Sequence, residues 1–281
     1  MAERNPPRRT GEIKMEFVTL THDNIEQEHI CCAIANEKDI QVVSKKNWLK
    51  ERLDEGLVFL KGNVRGKCFI EYIPAEYAWA PVEAEGYMYI DCLWVSGQFK
   101  GHGYSTLLLD KCVEDSKEKG KKGLVILSSQ KKKGFLSDPA YMRYKGFETA
   151  DTAAPYFELL YLPFDRSAEK PRFKNTVQER GGMAKARGAA LHVIPIRTRE
   201  EAQNAPSPFT TFSLFYDGQL VTHEILSEKK FENILISKGC KLALPKSIVV
   251  DVLRVICQNR QFFICIPQMF YLRYILIRIG Q

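Results

Sequence analysis

The chain has eight cysteines, but no pair is spaced as CxxC and none joins a short-range Cys/His set. Neither a dithiol redox centre nor a zinc site is encoded. Cys31, Cys32, Cys68, Cys92, Cys112, Cys240, Cys257 and Cys265 read as free thiols in a reducing cytoplasm. Long apolar runs are also missing. Pro267, Gln268 and Arg273 interrupt the longest, short of the roughly 18 residues a spanning helix needs. Residues 1–14 are rich in Pro, Arg and Glu with no apolar stretch, which reads as a flexible arm and excludes a secretory signal. Acids almost vanish after Cys240, where Asp251 stands alone. Lysines gather at Lys117, Lys119, Lys121, Lys122 and Lys131 to Lys133 without metal ligands or interleaved aromatics, so nucleic acid is not an expected partner.

What is present is the ordinary balance of a globular protein. Of 281 residues, 45% are hydrophobic and 27% charged, with a net charge of +7. That length exceeds one typical domain, so a full domain with a smaller appended unit is expected.

Apolar spacing predicts helices over 23–34 and 44–53, with Asp23 and Ser44 as N-caps. A hairpin follows, 56–60 with 67–73. Residues 87–95 form a nearly continuous apolar run, as a strand buried on both faces should. Glycines 97, 101 and 103 end it, and a helix is expected over 105–119, stopped by Gly120. Then come a buried strand at 123–127, a short helix at 139–144 and further strands to about 162. Residues 166–189 read as linker or weak helix. Beyond them a strand at 190–196, a short helix at 198–203, a hairpin across Asp217-Gly218 and a helix at 228–234 are expected.

The loop after the central strand carries the chemistry. A strand, a glycine-spaced loop and a helix turn several backbone N–H groups toward one point, where the positive end of the helix dipole adds to them; such a point binds phosphate. Gly101 and Gly103 permit the tight turn and the close approach of a pyrophosphate, and Ser105 and Thr106 can add hydroxyl donors. The third glycine of a dinucleotide fold is replaced by Thr106, and Gly103-Tyr104-Ser105 lacks the lysine of a nucleotide P-loop.

The run Leu93-Trp94-Val95-Ser96-Gly97-Gln98-Phe99-Lys100-Gly101-His102-Gly103 resembles the acetyl-CoA signature of the GNAT acetyltransferases, and Gly146-Phe147 sits where that family has a Gly-Phe pair. At finer grain, His29-Ile30-Cys31-Cys32-Ala33-Ile34, Ala80-Pro81-Val82 and Tyr156-Phe157-Glu158-Leu159-Leu160 are similar to the YoaP-like acetyltransferases, which append a thioredoxin-like domain. The turn Ser207-Pro208-Phe209-Thr210-Thr211 resembles part of such a domain. No cysteine lies between Cys112 and Cys240 to supply its redox chemistry.

The resemblance implies an α/β (α+β) GNAT fold, a mixed central sheet flanked by helices, followed by a partial thioredoxin-like α/β unit. The expected divisions are an arm at 1–14, the acetyltransferase domain at 15–165, a linker at 166–189, the partial unit at 190–239 and an apolar basic tail at 240–281. It also implies direct acetyl transfer from acetyl-CoA to a primary amine of a small molecule or peptide, with no metal. The backbone of Leu93, Trp94 and Val95 would hold the pantetheine arm. Gln98, Phe99, Lys100, Gly101, His102, Gly103, Tyr104, Ser105 and Thr106 would hold the pyrophosphate end.

Asp91 matches a position where some members carry a carboxylate base; the bland alternative is a strand-end residue bonded to the sheet. Glu71 is the second candidate. The family's tyrosine acid is replaced by Met142, leaving Tyr141, then Tyr144, as candidates beside an equally ordinary core role. Ser128 and Ser129 stand where the central strands would splay, to bond pantetheine or simply make a turn. Lys131 to Lys133 suit the 3′-phosphate or a solvated face. Two rival readings are a CoA-binding module without turnover and peripheral membrane contact by Arg260, Phe262, Phe263, Phe270, Tyr271 and Arg273 of the tail.

Overall fold

The computed structural model describes residues 15–30, 40–175, 190–216, 218–224, 226, 228–238 and 272–278. A seven-stranded sheet organises the first part. Its strands are β1 (Phe17–Thr19), β2 (Val58–Gly62), β3 (Cys68–Pro74), β5 (Met88–Val95), β6 (Gly123–Ser129), β7 (Glu148–Ala153) and β8 (Phe157–Pro163), in the order β1-β2-β3-β5-β6-β8-β7. Only the β5–β6 pair is parallel in this sheet, which is therefore mixed.

Alternation along the strands splits the core in two. On one face Phe59, Phe69, Ile73, Tyr89 and Val125 pack with Val42 and Leu49 of α1 (Ile40–Leu53). On the other, Ile70, Met88, Ile90 and Ile126 pack with Leu108, Leu109 and Cys112 of α2 (Tyr104–Glu118) and with Met142 of α3 (Pro139–Tyr144). Each such side chain stabilises the fold by about 1.5–3 kcal/mol on burial. The end of α3 expected from the sequence is fixed by local chemistry: Pro139 opens the helix and Asp138 Oδ1 accepts from the N–H groups of Ala140 and Tyr141 at 3.0 and 3.3 Å.

Two expectations near the N-terminus need correction. Residues 22–27 are a run of turns, not the start of a helix, closed by Ile25 N–H to Thr21 O and Glu28 N–H to Asn24 O; residues 31–34 lie outside the described residues. Ser44 does not cap α1 but sits inside it, because the apolar spacing continues upstream through Val42. The supposed linker also begins as folded structure. β9 (Arg172–Phe173) pairs with β4 (Val82–Glu83), Phe173 is buried, and Arg172 Nε meets Glu83 Oε2 at 2.5 Å.

A second sheet has the order β10-β13-β11-β12, from β10 (Ala190–Ile196), β11 (Phe212–Tyr216), β12 (Gln219–Thr222) and β13 (Leu272–Arg278). α4 (Arg199–Gln203) carries the capping box of Thr198 with Glu201, and α5 (Glu228–Ser237) follows β12. β13 comes from the tail to which the sequence assigned no fold. It lies antiparallel to β10 and parallel to β11, with Arg273 opposite Pro195 and Phe212. Arg260, Phe262, Phe263, Phe270 and Tyr271 lie outside the described residues. No helix among the described residues is long and apolar enough to cross a membrane.

Candidate active site

The site begins where two neighbouring strands part. β5 and β6 pair only at Met88↔Leu124, Tyr89↔Val125 and Ile90↔Ile126. Beyond Ile90, β5 stays with β3, and β6 stays with β8. Ser137 takes up the released edge of β6: its N–H donates to Leu127 O at 3.4 Å, and Ser128 Oγ donates to its carbonyl at 2.7 Å. Among the described residues no strand pairs with residues 93–95 on the side facing the gap.

Asp91 marks the fork. Tyr72 pairs with Ile90 and Glu71 with Cys92, so Asp91 is the extra residue of a β-bulge. Strict alternation would put residues 89, 91 and 93 on one face. Instead Tyr89, Cys92 and Trp94 join the α1 side while Ile90, Leu93 and Val95 join the α2 side. A bulge re-aims a side chain in this way. Asp91 lines a recess with Tyr89, Trp79 and Leu127 on the face away from α2.

The glycine loop opens on the other side of the fork. Gly97, Gly101 and Gly103 have φ of +63°, +81° and +78°, the left-handed region that side chains resist, and a Cβ on any of them would meet nothing within 4 Å. Gly103 is the N-cap of α2 and brings no side-chain cap; the N–H groups of Thr106 and Leu107 return to its carbonyl at 3.0 and 3.1 Å. No hydrogen bond to a protein acceptor is made among the described residues by the N–H groups of residues 101–105. These donors at the positive end of a fifteen-residue helix suit an anion. Phe99 is seated by the β2–β3 turn, where a Cβ on Gly66 would stand 2.5 Å from its ring. Tyr104 is buried among the α2-side core; Lys100, His102 and Gln98 are exposed or partly so.

Other sequence candidates land elsewhere. Glu71 is fully buried, and Lys45 Nζ, equally buried, donates to its two carboxylate oxygens at 2.8 and 3.1 Å. Burial pushes the Glu71 carboxyl above its ordinary range, against the pull of the Lys45 ammonium. This corrects the expectation of a second base: the carboxylate is committed inside the sheet–α1 layer. Tyr144, the reserve candidate for the acid, is 82% exposed. Met142 turns into the core, and its neighbour Tyr141 is half-buried against the same cluster, its Oη enclosed and without a hydrogen-bond partner among the described residues. Ser128 and Ser129 are buried and donate to loop carbonyls of Ser137 and Lys131, each at 2.7 Å, so the turn role accounts for their hydroxyls. Within the lysine run, Lys132 pairs with Asp138 at 2.7 Å and Lys133 lies 4.1 Å over the ring of Tyr156.

No group of His, Cys, Asp and Glu that could hold a metal occurs among the described residues. Cys68, Cys92 and Cys112 are buried and form no disulfide among the described residues, and burial pushes the Cys68 and Cys112 thiols above the ordinary cysteine range.

A splayed mixed sheet with an amide-lined loop between strand and helix defines an acyl-transfer scaffold, and the comparisons with known proteins agree. A family model described as Acetyltransferase (GNAT) family matches residues 22–147, and one described as YoaP-like matches residues 190–233. Over 247 residues the chain is 42% identical to a Bacillus subtilis (strain 168) protein described as Uncharacterized N-acetyltransferase YoaP, spanning 79% of this chain and 98% of that protein. The chain belongs to the GNAT acetyltransferase family, within its YoaP-like members, and is accordingly an acyltransferase of the acetyl-CoA-dependent class. Among solved structures, the GNAT protein YhbS of Escherichia coli in complex with CoA is 14% identical over 62% of this chain and 94% of its own, with a TM-score of 0.38. A GNAT acetyltransferase of Brucella melitensis in complex with acetyl-CoA is 17% identical over 56% and 92%, with a TM-score of 0.35.

Proposed function

We propose that the protein transfers an acetyl group from acetyl-CoA directly to a primary amine of a small molecule or peptide, with its cofactor and acceptor entering the β5–β6 fork from opposite faces. The observation that carries this reading is the juxtaposition at one fork of open loop amides on the α2 side and the bulge carboxylate Asp91 on the other.

Acetyl-CoA supplies the activated thioester. Residues 101–105 donate backbone N–H groups to its pyrophosphate, with Ser105 and Thr106 beside them, and Phe99, seated on Gly66, fixes the loop. The released β5 edge at residues 93–95 aligns the pantetheine arm and offers an N–H to the developing oxyanion. Asp91 takes the proton from the incoming ammonium, directly or through water, so that nitrogen presents a lone pair. Nitrogen attacks the carbonyl carbon to form the C–N bond, the C–S bond breaks, Tyr141 Oη gives its proton to the leaving thiolate, and the second proton of the acylated nitrogen passes through water to the phenolate, while Asp91 returns the first to solvent. The domain reading keeps residues 15–165 for catalysis and 190–239 as an appended unit, and adds to that unit's sheet the strand β13 from the tail at 240–281. The thioredoxin-like reading of that unit rests on the turn at 207–211, and we assign it no disulfide chemistry because it brings no cysteine among residues 190–239.

Purified protein, acetyl-CoA and a panel of primary amines, followed by thiol release, test the reading. Asp91→Asn should lower kcat on the order of 10²-fold while acetyl-CoA affinity stays within about twofold. Tight acetyl-CoA binding with no amine acetylated would instead establish the CoA-binding module.

A further inference from the structure

The recess that holds Asp91 is not completed by the acetyltransferase sheet. Trp79, Tyr89, Asp91, Leu127 and residues 135–137 line it together with residues 208–211 from the appended sheet's entry turn. That turn is rigidly held. Ser213 Oγ, fully buried, donates to Phe209 O at 2.9 Å and lies 2.8 Å from Ser207 Oγ, while Thr210 Oγ1 reaches across to Trp79 O at 2.7 Å. Next to it, Gln203 Nε2 donates to the carbonyls of Glu76 and Ala78, each at 3.0 Å, and Arg199 pairs with Glu55 at 2.8 Å. An apolar cluster of Trp79 with Ile196, Ala202, Ala205 and Phe215 joins the two sheets behind the wall. Trp79 is 9% exposed, and its indole N–H, enclosed, has no acceptor among the described residues.

We propose that residues 208–211 of the appended unit are the specificity wall of the acceptor pocket, and that they restrict the acceptor to a small primary amine with a compact apolar body. This rests on the reading of Asp91 as the group that receives the amine. The recess measures about 40 Å3, where sites for drug-sized ligands measure roughly 300–1,000 Å3. Among the described residues its walls combine Trp79, Tyr89, Leu127 and Phe209 with the hydroxyls of Ser137, Thr210 and Thr211, and Asp91 is the one acid that lines it. An alkylammonium matches both features: charge toward Asp91, hydrocarbon toward Phe209 and Trp79. A peptide would bury amides beside a wall with few partners for them, which costs free energy for every one left unpaired.

The test compares the full chain with Phe209→Ala, which widens the wall, and Thr211→Tyr, which narrows it, using n-propylamine and 1-naphthylmethylamine as acceptors. The expected results are a wild-type preference for n-propylamine, a shift of the kcat/KM ratio toward the naphthyl amine by about tenfold or more in Phe209→Ala, and a similar loss of n-propylamine turnover in Thr211→Tyr. The KM for acetyl-CoA should stay constant in both. A ratio that does not move in either folded variant overturns the wall. A second readout is independent of turnover. The chain has three tryptophans, and the 15N-labelled indole resonance of Trp79, assigned through Trp79→Phe, should shift when n-propylamine is added to wild type and not to Thr211→Tyr. An indole shift without acetylation would sink the proposed reaction and keep the wall; no shift in wild type overturns the wall whatever the activity.

Discussion

The phenol oxygen of Tyr156 lies 2.6 Å from Nδ1 of His223, a residue 67 positions later in the chain. The same imidazole presents Nε2 to Gly134 O at 2.8 Å and packs among Tyr156, Phe157 and Phe209. A carbonyl only accepts, so Nε2 carries a proton; burial favours the neutral ring, in which Nδ1 accepts from the phenol. It ties the β7–β8 turn and the loop before α3 to the appended unit.

This contact makes docking of the appended unit sensitive to acid. Burial lowers the His223 pKa, outweighing Gly134 O and Glu224, which raise it, with Lys133 nearby lowering it further. The unfolded chain therefore binds a proton first as pH falls, and stability present above about pH 6.5 declines below it until the folded-state pKa is passed. Melting temperature measured from pH 7.5 to 5.5 should fall in wild type and flatten in His223→Gln. Parallel curves would show that His223 does not carry the dependence.

Gly103 and Gly120 offer a matched pair. Both have positive φ, +78° and +66°, at the two ends of α2, and neither would bring a Cβ within 4 Å of anything. Alanine at either position should cost a similar 1–2 kcal/mol of left-handed strain, about the same loss of melting temperature. Only Gly103→Ala should weaken acetyl-CoA binding, by about tenfold or more, since only there does the Cβ enter the amide-lined loop. Calorimetry giving equal affinities for the two variants would remove the loop from the cofactor site.

Tyr141 separates catalysis from stability. Its enclosed Oη makes no hydrogen bond among the described residues, so Tyr141→Phe should leave melting temperature unchanged or slightly raised. The rate of amine acetylation should nonetheless fall by roughly 10²-fold if that oxygen protonates the thiolate. Tyr144→Phe, on an exposed ring, should change neither. An unchanged rate in Tyr141→Phe would make water the acid.

Glu71 should behave in the opposite way. Removing its charge strands the buried Lys45 ammonium, which lies 4.3 Å over the Trp48 ring, so Glu71→Gln should cost about 3–5 kcal/mol. Activity per folded molecule and its pH profile should stay close to wild type. The paired change Lys45→Met with Glu71→Leu should recover most of the stability, because an apolar pair of similar volume needs no desolvation of charge. A rate loss in Glu71→Gln with full stability would return Glu71 to the chemistry.

How much of this was legible beforehand follows the range of the interactions. The strand, glycine loop and α2 helix were readable because each is set by neighbours within a few residues: a continuous apolar run, glycines at positions needing positive φ, and apolar spacing of three to four. The α3 boundaries were equally local, written in Asp138 and Pro139. The helix expected over 23–34 shows the limit of periodicity, since residues 22–27 have the spacing but close as turns under β1 and β2. In the sequence Asp91 stood first as a candidate base with Glu71 second, and Tyr141 first as a candidate acid, without any view of their surroundings.

What separated them was tertiary. A one-residue difference in register between β3 and β5 makes Asp91 a bulge residue at the recess, while Lys45, 26 positions before it in the chain, neutralises Glu71. The place of β13 is a stronger case: its apolar composition is compatible with many settings, and only the open sheet edges of β10 and β11, roughly 80 and 60 residues upstream, give it one. Pairing between distant segments depends on which backbone edges remain unsatisfied after local structure has formed, a quantity that no window of sequence contains. The residues alone therefore determined the glycine-spaced loop and the resemblance it carries, and the three-dimensional packing decided that Asp91 lines a recess, that Lys45 pairs with Glu71, and that residues 208–211 of the appended unit line the same recess as Asp91.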